Sequence, residues 1–251
     1  MAAAHKDSHV RSLPVQSGML RVSGETIEGP RPSDLFDVFV DDEGDLVIVL
    51  VDVQGVAESS GSLLGAMMRH ARSVLERHAA LHQVVGELEM RLAVRPGTEV
   101  GLIIVRVSER DARVELLNAG MPPIAHALPG GHLSLHPPLS GPIGHRIGEV
   151  HPYELVPLIW GGAWLAVSDG LTGGSRDGQV VRELSLKLEL EQKGMALSAA
   201  TGEALYEALQ AVLPQMRFLR DDATCIVLGA DALGQGRFQS GITTSTGDAG
   251  E

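Results

Sequence analysis

Apolar and polar positions change period along this chain, and each change marks an element. From Met19 the alternation L-R-V-S-G-E-T-I predicts a strand that stops at Pro30 and Pro32. The segments D-L-F-D-V-F-V, from Asp34, and D-L-V-I-V-L-V-D-V, from Asp45, flank the polar turn D-D-E-G and predict an antiparallel hairpin. The second segment is too short to span a membrane and too apolar to face water. It reads as a buried central strand that carries Asp52 to a sheet end. After Gly55 the period becomes helical. Leu63, Leu64, Met67, Met68, Ala71, Val74 and Leu75, with Ser59 or Ser60 as N-cap, share one helix face, with the two methionines as core filler. Leu81, Val84, Val85, Leu88 and Leu92 repeat the spacing, as two helices or one broken helix ending by Pro96.

Strand patterns return over residues 101–107, 113–117, 124–128 and 132–135, and a proline-rich loop over 137–142 separates them from 153–158 and 164–167. Residues 180–190 fit helix and strand equally well and are taken as helix. Ala204, Leu205, Ala208, Leu209 and Val212 mark a clearer helix stopped near Pro214, and D-D-A-T-C-I-V-L-G is an acidic turn leading into a last strand. Runs of strands interrupted by helical blocks predict an α+β fold of antiparallel sheets with helices packed outside.

Composition narrows the function. The 251 residues and 44% apolar content support one domain, expected over 17–230, with polar, aperiodic tails at 1–16 and 231–251 that read as disordered. A formal charge of −12 argues against nucleic-acid and anionic-membrane partners. The single cysteine, Cys225, sits in an apolar strand and reads as a buried thiol in a reducing compartment. Without a signal-peptide core or a spanning stretch, the expected location is cytoplasmic.

The candidate chemistry lies in carboxylates at strand ends. Asp34 opens a strand, Asp52 and Asp169 close apolar strands, and Asp221 opens the last one. Such carboxylates are costly to ionise beside apolar surface unless a cation pairs with them, and oxygen ligands favour Mg²⁺ or Mn²⁺. Asp before Gly is also ordinary turn chemistry, so spacing alone leaves both readings open.

The motifs add a resemblance. V-D-V-Q-G, N-A-G-M-P-P, V-S-D-G and D-D-A-T follow the order and separations of D-V-S-G, N-A-G-H-P-P, T-D-G and D-D-x-T in the metal-dependent serine/threonine phosphatases of the protein phosphatase 2C type. The chain is most similar to their bacterial branch, typified by the sporulation stage II protein E phosphatase, whose G-G-D-x-Y-D-x-F is matched by P-S-D-L-F-D-V-F. That resemblance implies a four-layer α-β-β-α sandwich of two antiparallel sheets flanked by helices. It implies two Mn²⁺ or Mg²⁺ ions bridged by Asp52, with the Val53 backbone carbonyl, Asp34, Asp169 and Asp221 as further ligands. Asp37 and Asp222 are candidates to support those ligands. Asn118 and Gly120 match a motif whose simpler role is a tight turn. The implied reaction is direct attack of a metal-bridging hydroxide on phosphoserine or phosphothreonine. The implied substrate is a phosphoprotein, an anti-sigma-factor antagonist in a partner-switching pathway of stress or transcription control. With short tails, a separate activator protein or constitutive activity is expected.

Four departures stand against this pattern. Pro32 and Ser33 replace Gly-Gly, Ala57 replaces a glycine, Met121 replaces a common His and Ala163 replaces the Asp of a G-D turn, while Gln54 stands where bacterial relatives usually have Ser. None removes a carboxylate ligand, although they leave open an alternative: a catalytically weak or inactive binding module. Arg31 is a candidate for the substrate phosphate, with a solvated loop arginine as the simpler reading. His78 and His82, four apart on an expected helix, could share a metal but lack a visible third ligand, so packing or solvated roles are preferred. His132 and His136 are read the same way.

Overall fold

A hairpin turn sets the geometry of the protein. Asp41 accepts the backbone N–H groups of Glu43 and Asp45 on Oδ1, at 3.1 and 3.0 Å, and Gly44 takes φ +87°. This is a side-chain-stabilised turn with glycine at the position where a Cβ would be strained. It closes β3 (Asp34–Val40) onto β4 (Leu46–Gln54) in a register that pairs Val40 with Leu46 and, at the far end, Asp34 with Asp52.

The computed structural model describes residues 15–27, 29, 33–54, 60–93, 95, 97–129, 133–146, 148–172 and 222–230. The remaining strands are β1 (Val15–Ser17), β2 (Leu20–Ile27), β5 (Glu99–Ser108), β6 (Arg113–Ala119), β7 (Ile124–Ala127), β8 (Leu133–His136), β9 (Glu154–Pro157), β10 (Ala163–Val167) and β11 (Ala223–Ala230). They form two antiparallel sheets, ordered β1-β2-β11-β10-β7-β8 and β3-β4-β5-β6-β9. The helices are α1 (Ser60–Leu75), α2 (Leu81–Leu92) and the single turn α3 (Asp169–Thr172). The fold is therefore the expected α+β arrangement of two antiparallel sheets with helices. The helices expected over 180–190 and 204–212 lie outside the described residues. β1 begins at Val15, inside the stretch expected to be a tail, and α3 was not foreseen. Among the described residues no helix is long and apolar enough to cross a membrane.

The unbroken apolar run of β4 is explained by burial on both faces. Val47, Val49, Val51 and Val53 join a core with Leu63, Met67, Ala71 and Leu75 of α1 and with Leu81, Val85 and Leu88 of α2. Leu46, Ile48 and Leu50 point the other way, into the core between the sheets with Val22, Trp164, Ala166, Ile226 and Leu228. Each such side chain contributes about 1.5–3 kcal/mol. Together they make β4 the best-anchored strand to carry a carboxylate. On the outer face of the six-stranded sheet, Cys225 is fully buried among Leu165, Val167 and Val227, and burial pushes its thiol up to about 12. It is a packing residue, as expected.

Within the inter-sheet core His126 stacks on Trp164, with ring centroids 3.5 Å apart and planes 11° from parallel. Burial, with His136 nearby, lowers its imidazole to about 4. Folding therefore favours the neutral ring. Its contribution is present above the unfolded value near 6.5 and is lost as pH falls through about 4, up to roughly 3 kcal/mol. His126→Phe keeps a stacked ring and removes the titration. Denaturant unfolding at several pH values should show the difference between parent and variant shifting in the variant's favour from pH 6.5 to 4; a constant difference would contradict the assignment.

Candidate active site

Antiparallel register brings the first two carboxylates together. Asp34 and Asp52 are direct cross-strand partners, and each continues the inter-sheet face of its strand, after Phe36 and Val38 on β3 and after Ile48 and Leu50 on β4. Both are buried, at 7% and 1% exposure. Like charges directly opposite each other in a sheet repel, and burial removes the water that would screen them. Burial first, and the Asp52 charge second, hold the Asp34 carboxyl well above the usual carboxylate range. The Ser168 and Thr224 hydroxyls act the other way, and Thr224 Oγ1 donates to Asp34 Oδ2 at 2.8 Å.

The other sheet delivers Asp169. It follows β10 and opens α3, so the V-S-D-G segment leaves its strand at the same end of the sandwich. The Gln54 side-chain amide lies 3.4 Å from both Asp52 Oδ2 and Asp169 Oδ2, which places these two carboxylates around a single donor. Acids from β3, β4 and the β10 end are thus linked at one end of the sandwich, Asp34 to Asp52 by register and Asp52 to Asp169 through the Gln54 amide. Their chemistry would suit a divalent cation, since the donors are hard oxygens and Asp34 holds a raised pKa that a positive charge would reverse, although as they stand these three acids do not bring ligand atoms within 4.8 Å of one another. The residues at this end favour Mg²⁺ or Mn²⁺ over softer metals.

Asp222 has a different task. Its Oδ1 accepts the Gly29 N–H at 2.6 Å and its Oδ2 those of Ser33 and Asp34 at 2.8 and 3.1 Å. It pins the strand entry that aims Asp34, and Val53 N donates to Ser33 O at 2.9 Å to close the same corner. Ser168 is completely buried and ties β10 to β11: its N donates to Thr224 O and its Oγ accepts from Thr224 N, both at 2.9 Å. Sequence reading passed over Ser168 and Thr224. They occupy the S of V-S-D-G and the T of D-D-A-T, so the motifs themselves carried the signal.

Two expectations change. Asp37 does not join this end: an odd separation from Asp34 turns it to the helix-covered face, where Arg72 Nη1 holds its Oδ2 at 2.7 Å. His78 does not share a helix with His82, because its φ of +55° breaks the chain between α1 and α2. Asn118 is a turn residue, with Oδ1 accepting from Met121 N at 3.1 Å and Nδ2 donating to Pro122 O at 2.8 Å. Met121 is buried in the inter-sheet core. His136 faces Glu154 at 2.9 Å. Arg31, Ala57, His132 and Asp221 lie outside the described residues.

Comparison with known proteins places this geometry. The sequence pattern described as stage II sporulation protein E (SpoIIE) matches residues 42–231. Among solved structures, the RsbU and RsbW domains of a Mycobacterium tuberculosis protein superpose with TM-score 0.72 at 19% identity, over 88% of this chain and 64% of that one. This chain thus spans less than two thirds of that structure. The PP2C phosphatase domain and regulatory-domain fragment of SpoIIE from Bacillus subtilis give TM-score 0.64 at 16% identity, covering 90% and 70%. RsbX in complex with magnesium gives TM-score 0.64 at 12% identity, covering 88% and 99%. None of the curated proteins matches the chain by sequence.

Gly170 tests the packing that aims Asp169. A Cβ there would run into the Asp222 carbonyl oxygen, an overlap that only backbone movement relieves. Gly170→Ala should lower stability by about 1–3 kcal/mol or more and separate the β10 end from β11. Equilibrium denaturation checks the first effect, and an unchanged midpoint would contradict this close approach.

Proposed function

The chain belongs to the stage II sporulation protein E family, and from that premise we propose that it hydrolyses phosphoserine or phosphothreonine in a protein, using divalent metal. The observation that carries this reading is the placement of Asp34 opposite Asp52 at an inter-sheet strand end, with Asp169 linked to Asp52 through Gln54 and Asp34 held above the usual carboxylate range by burial and by Asp52. Opposed buried acids with a perturbed pKa mark a candidate functional site, and a cation is the partner that would relieve their repulsion.

In this reading Asp52, Asp34, Asp169 and Asp221, with the Val53 carbonyl, would hold two Mn²⁺ or Mg²⁺ ions. Ions bound there supply an activated water and neutralise charge on the phosphoryl group. The chain's own residues supply the rest. Asp222 and the Ser168–Thr224 pair hold Asp34 in place, and Gln54 spaces Asp52 from Asp169. Gln54 cannot donate a proton usefully, so it orients and does not act as a general acid. Arg31 is the candidate to meet the substrate phosphate. The likeness to an RsbU domain and to SpoIIE, named a cell fate determinant, supports a phosphoprotein substrate, which in this reading is an anti-sigma-factor antagonist, with a separate protein as activator.

Hydrolysis of p-nitrophenyl phosphate with added Mn²⁺ tests the proposal. Asp52→Asn and Asp169→Asn should each lower kcat/KM by about a hundredfold or more, roughly 2.7 kcal/mol of transition-state stabilisation, and chelator should abolish turnover in the parent. Activity that survives both substitutions would overturn the metal-centred mechanism. A parent inert toward both this substrate and phosphoproteins would identify a binding module instead.

A further inference from the structure

The β3–β4 hairpin carries a second group of potential ligands at its other end, remote from the strand-end acids. Asp41 and Asp45 bracket the turn, and His78 reaches them from the connection between α1 and α2. His78 Nδ1 lies 2.7 Å from Asp41 Oδ2 and 4.0 Å from Asp45 Oδ2, and the three ligand atoms fall within 4.8 Å of one another. Asp45 is only 3% exposed, yet its Oδ2, directed at this group, has no hydrogen-bond partner. A buried carboxylate oxygen without a donor costs free energy that a cation would recover.

Charge points the same way. Arg106, 2% exposed, is the fixed cation of the cluster, and it is divided: Nη1 meets Glu115 at 3.2 Å, Nη2 donates to Ala79 O at 2.7 Å, and Nε stands 3.4 Å from Asp41 Oδ2. Asp45 receives none of it. The backbone is held ready on both sides, by the Asp41 turn and by Asp42 N donating to Glu76 O at 2.8 Å. His78 keeps a left-handed φ of +55°, which a non-glycine residue holds only when its surroundings fix it.

We propose that Asp41, Asp45 and His78 form a structural binding site for one divalent cation of the Zn²⁺ class, clamping the hairpin turn to the α1–α2 connection. Two carboxylate oxygens and one imidazole nitrogen are a borderline donor set, distinct from the all-oxygen set at the other end of the hairpin. Metal bonds of ~2.0–2.1 Å at tetrahedral angles separate ligand atoms by about 3.3 Å. The observed 2.7 and 4.0 Å straddle that spacing, so shifts of less than an ångström would seat the ion. Solvent would complete the shell on the side where His78 is 31% exposed. Arg106 would stay with Glu115 and Ala79.

The test uses the full chain carrying Asp52→Asn and Asp169→Asn, which removes two of the strand-end acids and the repulsion between Asp34 and Asp52. Zn²⁺ titration by calorimetry should still find one equivalent bound, and Co²⁺ in its place should give the visible absorption of a tetrahedral nitrogen-oxygen site. Adding Asp45→Asn or His78→Ala should weaken binding roughly tenfold or more and cancel the Zn²⁺-dependent rise in Tm. If Asp45→Asn does not fold, His78→Ala, at a partly exposed connection, decides alone. No Zn²⁺ binding in the parent pair of substitutions, or binding indifferent to His78→Ala, would overturn the site and leave an ordinary ion-pair cluster.

Discussion

Two carboxylates facing each other across antiparallel strands, inside a sandwich, are the constraint on which the rest of the structure depends. Asp34 and Asp52 occupy one cross-strand pair, buried and of like charge. Such an arrangement opposes folding, and the hydroxyl donors beside Asp34 offset it only in part. What holds it is β4, whose side chains are buried on one face by α1 and α2 and on the other by the second sheet. Several valine, leucine and isoleucine side chains at about 1.5–3 kcal/mol each outweigh one destabilised carboxylate. Register matters as much as energy. A slip of one residue would send Asp52 to the helix face and Val51 to the inter-sheet space, and the Asp41 turn prevents that slip.

The polar groups around the acids divide the remaining work. Thr224 and Ser168 give Asp34 hydroxyl donors, which lower its pKa without cancelling the effect of burial. Asp222 accepts the backbone N–H groups of Gly29, Ser33 and Asp34. Its charge faces the strand entry, and it raises Asp34 only as the last of several causes. Gly170 lets α3 start against the Asp222 backbone, so Asp169 and the D-D-A-T corner share one close contact. P-S-D-L-F-D-V-F, V-D-V-Q-G, V-S-D-G and D-D-A-T thus meet in a single corner made by β3, β4, β10 and β11.

Most of this corner was legible in the sequence because its elements are periodic. The hairpin, both long helices and nearly all strands follow from apolar spacing, and the acids mark strand ends. What was misread was a matter of parity and of turns. Asp34 and Asp37 are three apart, and on a strand an odd separation means opposite faces, so Asp37 could have been assigned to the Arg72 side from spacing alone. The His78 and His82 pair fits a helical period, but a left-handed residue between α1 and α2 breaks it, and composition does not announce that backbone state. Ser168 and Thr224 were missed for another reason: hydroxyls carry no periodic signal, and their value depends on a partner strand dozens of residues away.

The hairpin also explains why acids at both of its ends coexist with a stable fold. β4 is a stiff strut, paired to β5 along its whole length, from Leu46 opposite Val107 to Gln54 opposite Glu99, and to β3 from Leu46 to Asp52. Displacement at one end cannot be absorbed within it and is transmitted as a rigid shift. The turn with Asp41 and Asp45 therefore sets where Asp52 sits, and the α1–α2 connection that reaches the turn through His78 and Glu76 sets it too. Anything that tightens that distal clamp reduces the freedom of the strand that holds Asp52 opposite Asp34. The two ends of the hairpin are chemically different, all-oxygen at one and oxygen with imidazole at the other, yet they are mechanically one element.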